Sequence, residues 1–322
     1  MTPLESIARR ILDESSTSAE LQRALDEFLR QCSHIGSVEP DRSFNAWAED
    51  SFLTSGVAIN PQAAAHCVTD YRRSVVFMRG LQAALRVALD RFPHRPLRIL
   101  YAGCGPYATL LMPLLPCFAP EELDVQLLDI HQRSLDSVEV LLAHFELGSY
   151  SVSTTQTDAS TYQHPVPLHL IVTETMQKSL EQEPQVAITR NLAPQLCKEG
   201  LFLPERIEVN LGLRDEVEDA LNPENVCALA RVMTLDPAEA PDEAPVTVTI
   251  PSNITGSAYL FTHVKVFGDH VLASGDAEIS LPRPCPEIAP LRPGDTFEIC
   301  YEPGPYPTFS FTKTSSGQSP LT

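Results

Sequence analysis

Nowhere in the 322 residues do apolar side chains run for anything near eighteen positions, and the start, MTPLESIARRILDESSTSAE, carries charges where a secretory signal is apolar. The reading is therefore of a soluble, cytoplasmic protein with no membrane partner. Basic residues are scarce: 23 lysines and arginines face 42 acids, for a net charge of −19. Such a surface repels polyanions, and no local basic patch relieves it, so nucleic acid is not an expected partner either. The eight cysteines (32, 67, 104, 117, 197, 227, 285 and 300) form no CxxC pair and no Cys/His spacing suited to zinc. No metal is expected, and the thiols read as reduced and mostly buried. Tryptophan occurs once, at position 47, and no internal repeat is evident.

What is present suffices for a proper core: 43% of the residues are hydrophobic, and the length fits two domains better than one. Leu4, Ile7 and Ile11, then Leu21, Leu25, Phe28 and Leu29, recur at helical spacing, joined through ESSTSAE, where a serine or threonine can cap the second helix. Residues 31–62 read as irregular; a segment of this length is either a functional cover or a mobile one. From Pro61 a long helix is expected, with Val68, Tyr71, Val75, Met78, Leu81, Leu85 and Ala88 along one side.

Between 97 and about 213 strand and helix patterns alternate. RILYA, DVQLL, YSVSTTQ, LHLIVT and ERIEVNLGL read as strands, and RSLDSVEVLLAHFEL as an amphipathic helix, which predicts an α/β fold with a Rossmann-like, mostly parallel sheet. Beyond about 220, acidic and proline-rich sequence (LDPAEAPDEAP) gives way to short strands, VTVTI, YLFTHVKVF, AEISLP and TFEICYEP, an antiparallel β region with a disordered tail expected at TSSGQSP. The expected organisation is a helical N-terminal segment and cover over 1–62, a Rossmann-like domain over 63–215, and a β-rich domain over 216–322.

The stretch RILYAGCGPYATLLMPLL (98–115) runs from a strand through Gly103 and Gly105 into an apolar, helix-like run. A glycine turn after the first strand of a parallel sheet stands where ligands settle, and lets them approach the backbone N–H groups; the alternative is a structural strand-to-helix turn. The dinucleotide pattern G-x-G-x-x-G lacks its third glycine, Ala108 standing there. Asp129 ends the next strand, LLDIH, where an acid can accept hydrogen bonds from two ribose hydroxyls, and His131 beside it is a candidate adenosine contact. TDAS places Asp158, Ala159 and Ser160 on a turn suited to an adenine edge. These stretches resemble the first motif, the ribose-binding strand end and the adenine-side turn of class I S-adenosylmethionine-dependent methyltransferases, with Tyr101 where many members carry an acid and Tyr107 where many carry glycine.

Upstream and downstream the resemblance narrows. DYRRSVVF (70–77) is similar to the D-x-x-R-[TS]-x-x-[YF] helix of protein arginine methyltransferases, and TETMQKSLEQE (173–183) to their E-x-M stretch with a second glutamate nine residues on. GLFLPERIEV resembles their return to the sheet; their Thr-His-Trp loop has no clear counterpart, FTHVKVF offering Thr262 and His263 followed by valine. The matching stretches lie between about 64 and 213. The resemblance implies S-adenosylmethionine as cofactor, held by Arg73 at its carboxylate and by Gly103, Gly105, Asp129, Asp158 and Ala159. Glu174 and Glu183 are then the catalytic pair, Glu174 taking the proton and Glu183 assisting.

Each feature also has a plainer explanation: an ion pair of Arg73 with Asp70 on one helix face, and two solvated loop carboxylates. The functional readings are four. The leading one is methylation of a nitrogen on a small amine or guanidino substrate, preferred to a protein arginine because the C-terminal part is short and acidic. The second uses the aminocarboxypropyl arm of the cofactor, as in the methyltransferase-like azetidine-2-carboxylate synthases, yielding the cyclic amino acid and methylthioadenosine. The third is a non-catalytic cofactor-binding module, and the fourth a nicotinamide oxidoreductase, disfavoured by the missing glycine. A homodimer is left open.

Overall fold

The computed structural model describes residues 2–41, 49–93, 96–214, 226–239, 244–252 and 256–316. Trp47, residues 240–243 of the acidic stretch and the tail from 317 lie outside the described residues. Helices α1 (Pro3–Leu12) and α2 (Ser18–Gly36) open the chain, each started by a capping box, Thr2 with Glu5 and Thr17 with Glu20. The boxes satisfy N–H groups that have no intrahelical partner. Leu4, Ile7, Ile11, Leu25 and Phe28 turn inward and are almost wholly buried. The segment expected to be irregular contains a hairpin, β1 (Ser51–Leu53) and β2 (Gly56–Ala58).

The helix expected to run unbroken from Pro61 is two helices. α3 (Pro61–His66) passes into a 3-10 turn, and α4 (Tyr71–Arg91) restarts after Asp70, whose backbone leaves helical geometry at φ −75°, ψ 80°. The Asp70 carboxylate accepts from the Arg73 N–H at 3.2 Å and so caps α4. Helical spacing alone does not reveal such a break, because the apolar stripe continues through it.

The central sheet comprises β3 (Leu97–Ala102), β4 (Leu123–Asp129), β5 (Ser151–Gln156), β6 (Leu168–Thr173) and β7 (Leu196–Leu203), in the order β5-β4-β3-β6-β7 with every neighbouring pair parallel. All six residues of β6 are buried, as a strand covered on both faces requires. α5 (Gln132–His144) joins β4 to β5, and α6 (Gln185–Leu192) joins β6 to β7. Leu100, Ala102, Leu128 and Ile171 form one small core with Ile188 and Leu192 of α6; the alternate residues Ile99, Tyr101, Leu127, Leu170 and Val172 join the larger core that includes α4 and α5. Between β3 and β4 the expected helix is absent. Pro106, Pro113 and Pro116 remove the N–H donors an α-helix needs, and the run becomes turns and a 3-10 helix over Met112–Cys117.

The remaining strands are β8 (Arg206–Arg214), β9 (Val226–Leu235), β10 (Val246–Thr249), β11 (Ser257–Phe267), β12 (His270–Leu272), β13 (Arg283–Pro284), β14 (Thr296–Glu302) and β15 (Thr308–Ser315). They form two antiparallel sheets, β12-β11-β8-β9 with β13 on β11, and β10-β14-β15. β8, read from sequence as part of the alternating segment, belongs to the first of these and pairs with β9 and β11. Only Pro204 and Glu205 separate it from β7, too few residues for a parallel crossover. α4 lies against β11: a Cβ at Gly80 would come within 2.7 Å of Val266 Cγ1.

Tyr107, fully buried, ties the N-terminal helices to the turn after β3. Its hydroxyl donates to the Val38 carbonyl just beyond α2, and its ring meets Phe28 edge-on at 6.5 Å. Tyr107→Phe keeps the ring and strands a buried carbonyl, so a loss of about 1–3 kcal/mol is expected in urea denaturation with an unchanged m-value. A loss within error would show that the carbonyl finds another partner.

Candidate functional site

At the carboxyl ends of β3, β4 and β6 the chain encloses a cavity of about 1120 Å³, roofed by the β1–β2 hairpin and bordered by α3 and the β14–β15 turn. This is where a parallel sheet places ligands. All eight residues singled out from sequence line it: Arg73, Gly103, Gly105, Asp129, Asp158, Ala159, Glu174 and Glu183. Nine carboxylates line it against one lysine and two arginines among the described residues. A cavity with that balance attracts cations.

The two glycines serve different ends. Gly103 (φ +69°) is required by the protein itself, since a Cβ there would lie 2.3 Å from Thr175 Cγ2. Gly105 (φ +63°) faces open space, a Cβ meeting only Ala64 Cβ at 3.6 Å. The backbone N–H groups of the turn are not left for a ligand: Gly103 and Cys104 donate to the Leu128 carbonyl, and Gly105 donates to Asp129 Oδ2 at 2.9 Å. What the turn does is fix Asp129, whose other oxygen accepts from the His131 N–H at 2.8 Å. His131 in turn reaches Ser51 Oγ of the hairpin through Nε2 at 3.1 Å, linking roof to strand end. Asp158 closes its own turn by accepting from the Ser160 N–H, and Ala159 beside it is buried.

The arginine does not pair with Asp70 on the helix face. Arg73 Nη1 donates to Glu174 Oε2 at 2.6 Å, with side-chain exposures of 8% and 7%, and Nη2 donates to the Cys67 carbonyl at 2.9 Å. The break before α4 is what brings that carbonyl to the guanidinium. Arg73 Nε is buried and has no partner. A buried guanidinium normally uses its whole fork, so the unused Nε is a donor left for an acceptor to satisfy.

Glu183 is 7% exposed, and neither of the two acids is solvated as a surface carboxylate would be. Burial pushes Glu174 above its ordinary range, opposed by Arg73. Burial, reinforced by the nearby Glu174 charge, pushes Glu183 up to about 8 against the opposing pull of Arg73. The pair therefore divides into an acid held against a cation and one poised near neutrality.

Sequence reading missed several contributors. Asp50, Cys67, Lys178, Glu181 and Arg283 all line the cavity, and at its mouth Phe52 and Tyr306, each 62% exposed, stand with ring centroids 6.1 Å apart. They come from the hairpin, the 3-10 turn, the acid-bearing loop and the β-rich part, which no single motif spans. Tyr101, standing in place of an acid, is buried on the wall. His263 lies at the exposed face of β11, opposite Glu208. Among the described residues no helix is long and apolar enough to cross a membrane.

No protein-family model and no curated protein matches the chain. Among solved structures it is similar to the Trypanosoma brucei PRMT1 enzyme–prozyme heterotetrameric complex with AdoHcy, at TM-score 0.55 and 12% identity, covering 78% of this chain and 92% of that chain. The shared architecture is the parallel Rossmann-like sheet followed by the antiparallel β region, as expected from the sequence.

The raised proton affinity of Glu183 has a stability consequence with a definite sign. The folded protein keeps this proton up to about pH 8, whereas the unfolded chain releases it near 4.5, so across that interval folding takes up a proton and stability falls as pH rises. Glu183→Gln has no charge to bury. Its stability relative to the parent should rise by more than about 2 kcal/mol from pH 5 to pH 9, read by denaturation at both values. A pH-independent difference would mean that Glu183 is solvated.

Proposed function

We propose that the chain is an S-adenosylmethionine-dependent transferase that alkylates a nitrogen, with a small amine or guanidine as the methyl acceptor. The observation that carries this reading is the buried Arg73 with an unused Nε, joined to Glu174 in a cavity whose second acid, Glu183, is poised near neutrality.

The residues present fit the cofactor. Arg73 Nε offers a donor for a carboxylate, the bare Cα of Gly105 leaves space on the wall, and Asp129 keeps acceptor capacity on both oxygens beyond the N–H groups it already receives. Asp158 and Ala159 border the same space. The likeness in fold to a structure solved with AdoHcy supports the same assignment. When bound, the cofactor supplies an electrophilic carbon on its sulfonium, so the protein's task is to align a nucleophile and exclude water.

For the nitrogen, the acid pair supplies both grip and base. Glu174 is committed to Arg73, which favours Glu183 over Glu174 as proton acceptor, a reversal of the roles expected from sequence. An incoming cation draws Glu183 into its ionised form, and its high proton affinity then suits it to take the proton from nitrogen. The exposed rings of Phe52 and Tyr306 give the mouth an apolar rim for a substituent carried by that nitrogen.

One observation favours a second reading. The Arg73–Glu174 pair places the acids beside the group that would hold the cofactor's carboxylate, so the nitrogen nearest to them would be the cofactor's own amine. The products would then be azetidine-2-carboxylate and methylthioadenosine.

Incubating the pure protein with S-adenosylmethionine, alone and with methylguanidine or a panel of primary amines, and identifying products by mass spectrometry decides between them. S-adenosylhomocysteine formed only with an added nitrogen compound supports methyl transfer; methylthioadenosine from the cofactor alone supports cyclisation; cofactor binding with neither product would leave a binding module. In the active reaction Glu183→Gln should lower turnover by about 10²-fold or more with cofactor affinity little changed. Arg73→Lys should weaken S-adenosylhomocysteine about tenfold or more in calorimetry, yet leave methylthioadenosine, which lacks the carboxylate, nearly unaffected. Equal loss for both ligands would show that Arg73 acts through folding.

A further inference from the structure

The residues just before Glu183 adopt a backbone that side chains ordinarily avoid. Ser179, Leu180 and Gln182 have φ of 59°, 57° and 65°, three left-handed non-glycine residues within four positions. Such conformations persist only where surrounding structure imposes them. Here the surroundings are almost entirely the C-terminal β part. Thr262 Oγ1 on β11 accepts from the Ser179 N–H at 2.9 Å, and the Tyr301 hydroxyl on β14 donates to the Leu180 carbonyl at 2.8 Å. Glu181 between them is held by Arg283 Nε of β13 at 3.1 Å and by the Thr308 hydroxyl of β15 at 2.8 Å. The Gln182 N–H donates to the Pro307 carbonyl and its carbonyl accepts from Val57 of the hairpin, both at 2.7 Å.

These contacts run to every residue from 179 to 182 and end where Glu183 begins. Gly56 of the hairpin then closes over it: a Cβ there would lie 2.7 Å from Pro184 N and 2.9 Å from the Glu183 carbonyl carbon. Thr262 is completely buried, and neither it nor Tyr301 lines the cavity, so neither can touch a ligand there. Thr262 is the threonine of FTHVKVF, a stretch the sequence left without a role.

We propose that Thr262 and Tyr301 are positioning residues that, together with the Arg283 and Thr308 clamp on Glu181, hold the 179–182 loop left-handed and thereby turn Glu183 into the cavity. The β-rich part is on this account a component of the site, built to impose one loop conformation. The proposal deepens the assignment of Glu183 as proton acceptor and rests on it for its catalytic meaning, though not for its structural test. The groups that face Glu183 are Glu174 at the end of β6, Arg73 of α4, Cys67 of the 3-10 turn and Asp50 before β1, with Gln177 as its hydrogen-bond partner.

The test is a set of melting curves at pH 5 and pH 9 on the full chain. The extra melting temperature that Glu183→Gln confers at pH 9 over pH 5 is measured in the parent and in a Thr262→Val/Tyr301→Phe background. If the two residues position the loop, Glu183 is released to water in that background and the gain falls below half its parental size. Thr262→Ser, which keeps the hydroxyl, should retain it. A uniform drop in melting temperature with the pH-dependent gain intact would overturn the proposal, since a merely structural role moves both pH values alike. Should the double variant not fold, Tyr301→Phe alone is read in the same way. S-adenosylhomocysteine affinity should stay within about twofold, while turnover in whichever reaction the parent performs falls at least tenfold. Absence of turnover in the parent would count against the functional reading only, because the melting curves decide the loop's positioning by themselves.

Discussion

A single guanidinium organises the interior of this site. Arg73 is buried among carboxylates, and removing a charge of either sign from water is unfavourable unless it is paired and hydrogen-bonded. Glu174 provides the pair and the Cys67 carbonyl a second acceptor, each from a different part of the chain. The break at Asp70 aligns the carbonyl, and the end of β6 delivers the acid. Without the arginine, the opposing pull on both acids would be lost, and burial and mutual repulsion would push Glu174 and Glu183 further up together.

That constraint explains how the elements are arranged around the cavity. The strand ends of the parallel sheet supply Asp129 and Glu174, where open α/β sheets ordinarily offer residues to ligands. The turn after β3 directs its N–H groups to β4, so it acts by freezing Asp129. The hairpin is joined to this framework twice, through Ser51 to His131 and through Val57 to Gln182, and both joints lie at the cavity. The roof is therefore tied to the Asp129 strand end and to the acid-bearing loop together.

The antiparallel part adds what a sheet cannot. Asp129 and Glu174 reach the cavity from strand ends, whereas Glu183 reaches it on a loop that doubles back. Left-handed backbone at Ser179, Leu180 and Gln182 accomplishes the reversal, and partners on β11, β13, β14 and β15 oppose its relaxation. Local strain is thus balanced by contacts distant in sequence, which gives the β strands a part in the site that their position outside the parallel sheet does not suggest.

Much of the framework was legible in the chain. The alternation of apolar strands with amphipathic helices implies the parallel sheet, because burial on both faces demands runs such as LHLIVT, and residues at strand ends point to the crevice by topology alone. Topology draws attention to Gly103, Gly105, Asp129 and Glu174, and the resemblance to methyltransferase motifs adds Arg73, Asp158, Ala159 and Glu183; all eight line one cavity. Capping at Thr17 followed from side-chain chemistry local to the helix start. Three features depended on contacts far apart in sequence and were decided only by the fold. The partner of Arg73 is a residue 101 positions away, not the aspartate three positions off, whose carboxylate oxygens accept from the Arg73 N–H at the helix cap and from the Glu278 N–H. The different surroundings of the two acids, Glu174 against the guanidinium and Glu183 buried beside it, follow from which of them meets Arg73. The loop that carries Glu183 takes its shape from β strands more than seventy residues downstream, since no local preference would set serine, leucine and glutamine in left-handed backbone.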